Sequence, residues 1–307
     1  MAVRQIRRLE PAPRDRWEWA VRKATIRAFW LDRERFERLR SACPARVIEE
    51  PSGVVAGEAL SLRPEMLVHF AFVDRRACEE RFGPMFNRLL DAMADRTEVR
   101  DGFVVEFTDR PNRAYVEPAL KQQGFEVDRE WLEFTLVDLD LGALPGASDL
   151  RMAEAHPDDA AALAEAAQAY GSEKFAPDGV SAAMAEGERV WWVERPDGAR
   201  IGFVRLRMRR GGRVAEVRDL AAAPEYRGAE GRVALLGAAL GQLRSMGAVE
   251  ASTRVDVGEA EAIGALRAAG FRPGDAGVTY RRPADEEEVR RRLEAKRGHA
   301  VKFGDWR

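Results

Sequence analysis

The chain carries one residue pattern twice, and this repeat limits its possible folds more than any other feature. Residues 81–125 align with residues 227–271 without a gap. Paired leucines fall at equivalent positions, and the two segments end in Gly124-Phe125 and Gly270-Phe271. Identity between the halves is low, so two ordinary α/β patterns could match by coincidence. The ungapped register and the paired endings favour a duplication.

The same series of elements precedes each copy. Short apolar runs separated by Gly and Pro turns predict three successive strands in each half. They cover 46–50, 54–62 and 66–73 in the first half, and 190–194, 201–209 and 214–222 in the second. Each half therefore predicts helices, an antiparallel three-strand meander, a helix, a strand, a helix and a final strand. The fold class is α/β (α+β).

The stretch 138–149 is rich in Gly and Pro and predicts a linker. We expect an N-terminal domain over 1–140 and a C-terminal domain over 148–283. Residues 284–307 form a tail, in which favourable i,i+4 pairs of Glu with Arg predict a solvated helix.

Composition excludes several functions. The net charge of −2 gives no general attraction to nucleic acid or to an anionic membrane. The two cysteines, Cys43 and Cys78, form no disulfide framework, and the three histidines share no metal-type spacing with them. No apolar run reaches membrane-spanning length. We expect a cytoplasmic protein with no metal, no nucleic-acid partner and no membrane association.

The predicted strand 214–222 is followed by a turn that opens a helix. This turn reads Tyr226-Arg227-Gly228-Ala229-Glu230-Gly231-Arg232. The strand, turn and helix resemble the acetyl-CoA-binding core of the GNAT N-acetyltransferases, whose turn reads Arg/Gln-x-x-Gly-x-Gly/Ala. Counted from Arg227, the two glycines of that motif fall on Glu230 and Arg232. With the repeat, the resemblance implies two tandem GNAT-like domains, each a mixed, mostly antiparallel sheet flanked by helices.

The resemblance implies an N-acetyltransferase that uses acetyl-CoA as co-substrate and acts on a small amine. In the family, backbone amides at the helix N-terminus hold the coenzyme pyrophosphate, because these amides lack intrahelical partners. The acidic Glu230 either points outward and leaves its amide usable, or folds back and caps the helix. The cofactor-binding residues implied are Leu220, Ala222, Arg227, Gly228, Ala229, Glu230, Gly231 and Arg232.

The resemblance also supplies candidate catalytic groups. A strand glutamate that deprotonates the amine in several family members corresponds to Glu216, and partial burial would favour such a role. Alternatively, Glu216 is a structural carboxylate paired with Arg218 or Arg205. By strand alternation, Asp219 is expected on the opposite face.

The tyrosine that often protonates the departing thiolate in the family corresponds to Leu266, and the asparagine that commonly begins its helix corresponds to Glu259. We therefore expect another donor, with Tyr280 as the candidate and Ser252, Tyr226 or water as alternatives.

The first half lacks these groups. Pro84 stands where Glu230 lies in the repeat, and it has no N–H to offer a phosphate. As an early helical residue it would have a structural explanation. Phe70 replaces Glu216, and Phe82 replaces Gly228. The first domain is therefore expected to be non-catalytic.

The acceptor is expected to bind near 170–185, and the protein to be a monomer or homodimer. A catalytically inactive tandem GNAT-fold protein, serving as a ligand-binding or scaffold module, is the alternative function.

Overall fold

The structure is a computed structural model that describes most of the chain. The described residues are 24–28, 45–49, 55–62, 65–93, 102–108, 110–139, 149–170, 181, 184, 187–209, 212–285, 287–288, 290–291 and 294. The chain divides into two compact units. Unit 1 comprises Met1–Glu130 with Gly277–Arg307, and unit 2 comprises Trp131–Ala276.

The described elements include twelve strands and five α-helices. The strands are β1 Ile26–Ala28, β2 Ala45–Glu49, β3 Val55–Leu62, β4 Glu65–Phe72, β5 Phe103–Phe107, β6 Glu126–Val137, β7 Arg151–Glu154, β8 Arg189–Glu194, β9 Arg200–Arg209, β10 Val214–Ala222, β11 Glu250–Asp256 and β12 Arg272–Arg282. The α-helices are α1 Arg75–Met93, α2 Arg113–Gln122, α3 Ala160–Ala169, α4 Ala229–Ser245 and α5 Ala260–Ala268. Each three-strand meander agrees with its predicted bounds to within one residue, so that prediction is confirmed. None of the helices described here is long and apolar enough to cross a membrane.

Unit 1 is built on a mostly antiparallel sheet with strand order β2-β3-β4-β5, followed by the last residues of β12. Its core is aromatic because α1 places Phe82 and Phe86 against the rings of Phe70, Phe72 and Phe125. All five side chains are buried.

Unit 2 places residues 131–137 of β6 beside β11, and the order continues β11-β10-β9-β8-β7. β10 and β11 are parallel, and the other described pairs are antiparallel. One face packs against α4 and α5, and the other against α3. Trp191 and Trp192 are both buried, on opposite faces, as their alternation predicts.

The final strands are exchanged between the halves of the sequence. Residues 278–282 pair with β5 in unit 1, and residues 131–137 pair with β11 in unit 2. The compact units therefore differ from the expected domains 1–140 and 148–283. The linker 138–149 and the tail 284–307 lie largely outside the described residues; within the tail, 287, 288, 290, 291 and 294 are helical.

Unit 1 has no counterpart of the turn 223–228. β4 ends at Phe72 and α1 begins at Arg75, whereas in the repeat alignment α4 of unit 2 begins opposite Gly83. Pro84 therefore lies well inside α1, and its expected early helical position is wrong. The carboxylate of Asp74 accepts a hydrogen bond from the Ala77 amide (2.8 Å), so unit 1 caps this helix N-terminus with its own anion.

In unit 1, strands β5 and β1 both pair along one edge of β4. β5 pairs with β4 only at Met66 and Leu67. Further along the same edge, β1 pairs with Phe70–Phe72. Ile26 in β1 is fully buried in the unit 1 core. β1 therefore covers this edge of β4 at Phe70–Phe72.

Candidate functional site

Two parallel strands of unit 2 separate and leave a fork. β10 pairs with β11 from Val214 to Val217, where Val217 lies opposite Thr253. The Thr253 hydroxyl donates a hydrogen bond to the Val217 carbonyl (2.9 Å) and so holds the strands together at the branch. A β-bulge then shifts the register of β10 on β9 between Val217 and Asp219. Within the described residues, β10 continues to Ala222 with β9 as its partner and its other edge open.

The turn at the end of β10 presents backbone amides at this fork. Gly228 is the N-cap of α4 and offers no capping side chain. The first helical hydrogen bond runs from the Arg232 amide to the Gly228 carbonyl (2.9 Å). The preceding amides, those of Ala229, Glu230 and Gly231, have no intrahelical acceptor by the geometry of a helix start. A helix of this length directs a partial positive charge at its N-terminus, so the turn suits an anion.

The two glycines of this turn differ in their surroundings. A Cβ added at Gly231 would lie 2.5 Å from the Tyr226 carbonyl oxygen and 2.6 Å from the Tyr226 Cα. A Cβ added at Gly228 would meet nothing within 4 Å. Gly231 therefore allows the helix to pack on the preceding turn, and Gly228 leaves open space where a ligand could approach the backbone.

Both arginines of the turn are engaged with the protein. The Arg227 guanidinium donates to the Ala222 carbonyl (3.3 Å) and to the Ala169 carbonyl (3.1 Å). Arg232 donates from Nε to the Arg227 carbonyl (2.7 Å), and its Nη1 lies 3.3 Å from the Glu259 carboxylate. Arg227 thus braces the turn, and Arg232 links the starts of α4 and α5.

Glu230 is exposed, and across residues 212–285 no described hydrogen bond joins its carboxylate to the turn. Of the two alternatives for this residue, the structure therefore shows the one in which the amide is not capped. The neighbouring predicted residues line the same strand end: Leu220 is partly buried against the α4 core, and Ala222 is buried.

Glu216 lies in a chain of alternating charges on the face of β10 that points away from α4. Arg218 Nη1 lies 2.9 Å from Glu216 Oε1, and Arg218 Nε lies 3.4 Å from Glu188 Oε1. Arg205 lies 3.3 Å from Glu188 and 3.1 Å from Asp219. The pair with Arg218, which the sequence offered as a structural alternative, is therefore present.

The expected position of Asp219 is wrong. Because Arg218 is the extra residue of the bulge, Glu216 lies opposite Arg207 and Asp219 lies opposite Arg205. Residues 205 and 207 share one face of β9, so Glu216 and Asp219 share that face too.

A polar row crosses four strands at the level of Glu216. Arg207 in β9 lies opposite Glu216, Glu216 lies opposite Ser252 in β11, and Ser252 lies opposite Thr135 in β6. Arg207, Glu216 and Ser252 are all buried, so a buried sheet face carries polar groups beside the fork. Arg207 and Thr135 were not predicted from the sequence. Only the strand register identifies them, and Thr135 precedes the linker that seemed to end the first domain.

Tyr280 and Glu216 belong to different compact units. Tyr280 belongs to unit 1, is fully buried, and donates its hydroxyl to Glu117 Oε2 (3.1 Å). Burial and the neighbouring Glu117 raise the pKa of Tyr280 to about 12. With its proton committed to Glu117, Tyr280 is a structural residue of unit 1.

The other residues predicted from the sequence lie in different surroundings, some in the core of unit 2 and some near the turn or Glu216. Leu266 is buried in the unit 2 core, and Glu259 begins α5 and pairs with Arg232. Tyr226 packs against the same core, whereas Ser252 lies beside Glu216. The acceptor segment 170–185 lies mostly outside the described residues. In the described part of the chain, no group of three or more His, Cys, Asp or Glu side chains could hold a metal ion.

Part of the chain matches a known protein family, and solved structures share its fold. Residues 154–271 match the family model for the acetyltransferase (GNAT) family. This part of the chain is similar to a GNAT acetyltransferase domain, and the predicted fold is confirmed. No curated protein matches the chain.

Solved structures share the fold at low identity. A GCN5-related N-acetyltransferase from Sphaerobacter thermophilus is 16% identical with a TM-score of 0.51, and the match covers 75% of this chain and 76% of that one. A GCN5-related N-acetyltransferase from Kribbella flavida is 16% identical with a TM-score of 0.53, and the match covers 81% of this chain and 93% of that one. At this identity the likeness concerns the fold alone.

Proposed function

We propose that the protein is an acyl-CoA-dependent N-acyltransferase, most simply an N-acetyltransferase, that acts on a small amine in unit 2. The observation that carries the proposal is the uncapped start of α4 at the open end of the β10–β11 fork. It combines unpartnered amides, open space at Gly228 and an outward Glu230. These are the features that a pyrophosphate-binding turn needs.

The residues of the fork fit an acyl-CoA. The amides of Ala229, Glu230 and Gly231 would hold the pyrophosphate, and the open edge of β10 beyond Arg218 would align the pantetheine arm. A bound acyl-CoA supplies an acyl group activated as a thioester. The described part of unit 1 offers no equivalent, since β1 covers part of the edge of β4 and Asp74 caps α1.

Glu216 would act on the acceptor. Glu216 is buried beside the fork, and its Oε1 lies 2.9 Å from Arg218 Nη1. Glu216 would take a proton from the attacking amine, directly or through water, and so free the nitrogen lone pair for the acyl group. The acyl group passes from sulfur to nitrogen, and the proton is returned to the departing sulfur through Ser252 or water. Alignment of the two reactants supplies much of the remaining rate enhancement.

A binding or scaffold module is the second candidate, and one observation favours it. Leu266, at the position of the family tyrosine, is a buried aliphatic residue and cannot donate a proton.

The test is acetyl transfer to a panel of small primary amines (ethanolamine, lysine, tyramine and spermidine), followed by thiol release. We expect turnover in the native protein. In Glu216→Gln, kcat falls by about 10²–10⁴-fold while the calorimetric Kd for acetyl-CoA is unchanged. Coenzyme binding without turnover on any amine favours the scaffold module, and a Glu216→Gln variant with native kcat removes Glu216 from the mechanism.

A further inference from the structure

Arg218 occupies the bulge that opens the fork, and its guanidinium contacts two buried carboxylates. We infer that Arg218 is a positioning residue that fixes the Glu216 carboxylate for proton transfer, with Glu188 as its anchor. The inference rests on the proposed function, because it assigns a partner to the proposed base.

The contacts define where the guanidinium lies. Nη1 is 2.9 Å from Glu216 Oε1, and Nε is 3.4 Å from Glu188 Oε1. The Glu188 side chain is 6% exposed and is held from its other oxygen by Arg205 at 3.3 Å. Arg218 thus pairs with Glu188, which directly precedes β8, as well as with Glu216 in its own strand. A rotation of the Arg218 side chain would break the ion pair with Glu188.

The bulge gives this arrangement its geometry. A bulge adds one residue, bends the strand and re-aims side chains. Here it marks the point where β10 leaves β11 and brings Asp219 onto the face of Glu216. The residue that forms the bulge at the fork therefore also pairs with the proposed base.

Arginine suits this position better than lysine would. Its planar guanidinium presents several donors in a rigid fork, so separate nitrogens can meet separate carboxylates at fixed angles. A lysine ammonium would keep the charge but lose the fixed angle between Glu216 and Glu188. A base displaced by about 1 Å can lose on the order of 10²-fold in rate.

The experiment is a double-mutant cycle on the full chain, with the amine panel above as acceptors. In the native background, Arg218→Gln lowers kcat by about 10²-fold and leaves the Kd for acetyl-CoA within about twofold. In the Glu216→Gln background, the same substitution causes no further loss, because residues that act as a unit are not additive. Arg218→Lys recovers part of kcat, and added guanidinium restores turnover in Arg218→Ala.

Arg189→Lys is the control, since Arg189 at the start of β8 pairs with Glu154 and lies outside this charge chain. It leaves kcat unchanged. Equal losses from Arg218→Gln in both backgrounds, or a native kcat in Arg218→Gln, would overturn the inference alone. A native kcat in Glu216→Gln would overturn the inference together with the assignment of the base.

Discussion

Gly231→Ala gives the sharpest test of the turn at the start of α4. The added methyl would lie 2.5–2.8 Å from three backbone atoms of Tyr226, none of which can move as a flexible side chain would. Overpacking of this kind costs about 1–3 kcal/mol, and the close backbone contacts place it near the upper end. The better helix propensity of alanine returns up to about 1 kcal/mol. The net loss is about 2 kcal/mol of unfolding free energy.

A loss of this size lowers the melting temperature by about 4–8 °C in a unit of this length. Thermal unfolding followed by circular dichroism measures the shift, and calorimetry with acetyl-CoA measures a weakened affinity because the turn is displaced. Gly228→Ala is the matched control, since its Cβ meets nothing within 4 Å and the Gly228 backbone at φ −64° and ψ 166° accepts alanine. It should melt within about 2 °C of the native protein. Equal melting temperatures for the two variants would refute the packing role of Gly231.

Two further predictions concern single side chains. Glu230→Gln removes a carboxylate from the first turn of α4; it should lower stability by about 0.3–1 kcal/mol and tighten acetyl-CoA binding about two- to fivefold. Glu261→Gln, the equivalent change in the first turn of α5, should share the stability loss but leave the affinity unchanged, and equal affinities in all three proteins would place the pyrophosphate elsewhere. Tyr280→Phe should lose about 1 kcal/mol, seen as a melting shift of about 2–4 °C, because the buried hydrogen bond to Glu117 is removed. Its kcat should be unchanged, and a tenfold fall without unfolding would restore Tyr280 as a proton donor.

Local pattern predicted the strands of both meanders because apolar runs and turn residues are short-range signals. The same signals could not reveal which sheet each final strand joins. Residues 131–137 and 278–282 read as the last strands of their own halves, but they close sheets in the opposite units. Tyr280 lies in unit 1 for this reason, although its place in the sequence pointed to unit 2.

The candidate site was predictable where a backbone motif carries the information. The segment from Arg227 to Arg232 follows β10 and includes the start of α4, as expected. The face of Asp219 was not predictable, because a one-residue bulge reverses alternation and leaves no clear mark in the sequence. Pro84 was misread because α1 starts much earlier in its repeat than α4 does.

The central claim is that unit 2 holds one acyl-CoA at the start of α4 and that unit 1 holds none. Calorimetric titration of the full chain with acetyl-CoA tests it most directly. We predict a stoichiometry of about one per chain, with the affinity weakened by Gly231→Ala and tightened by Glu230→Gln. Two sites per chain, or no binding at millimolar acetyl-CoA, would contradict the account.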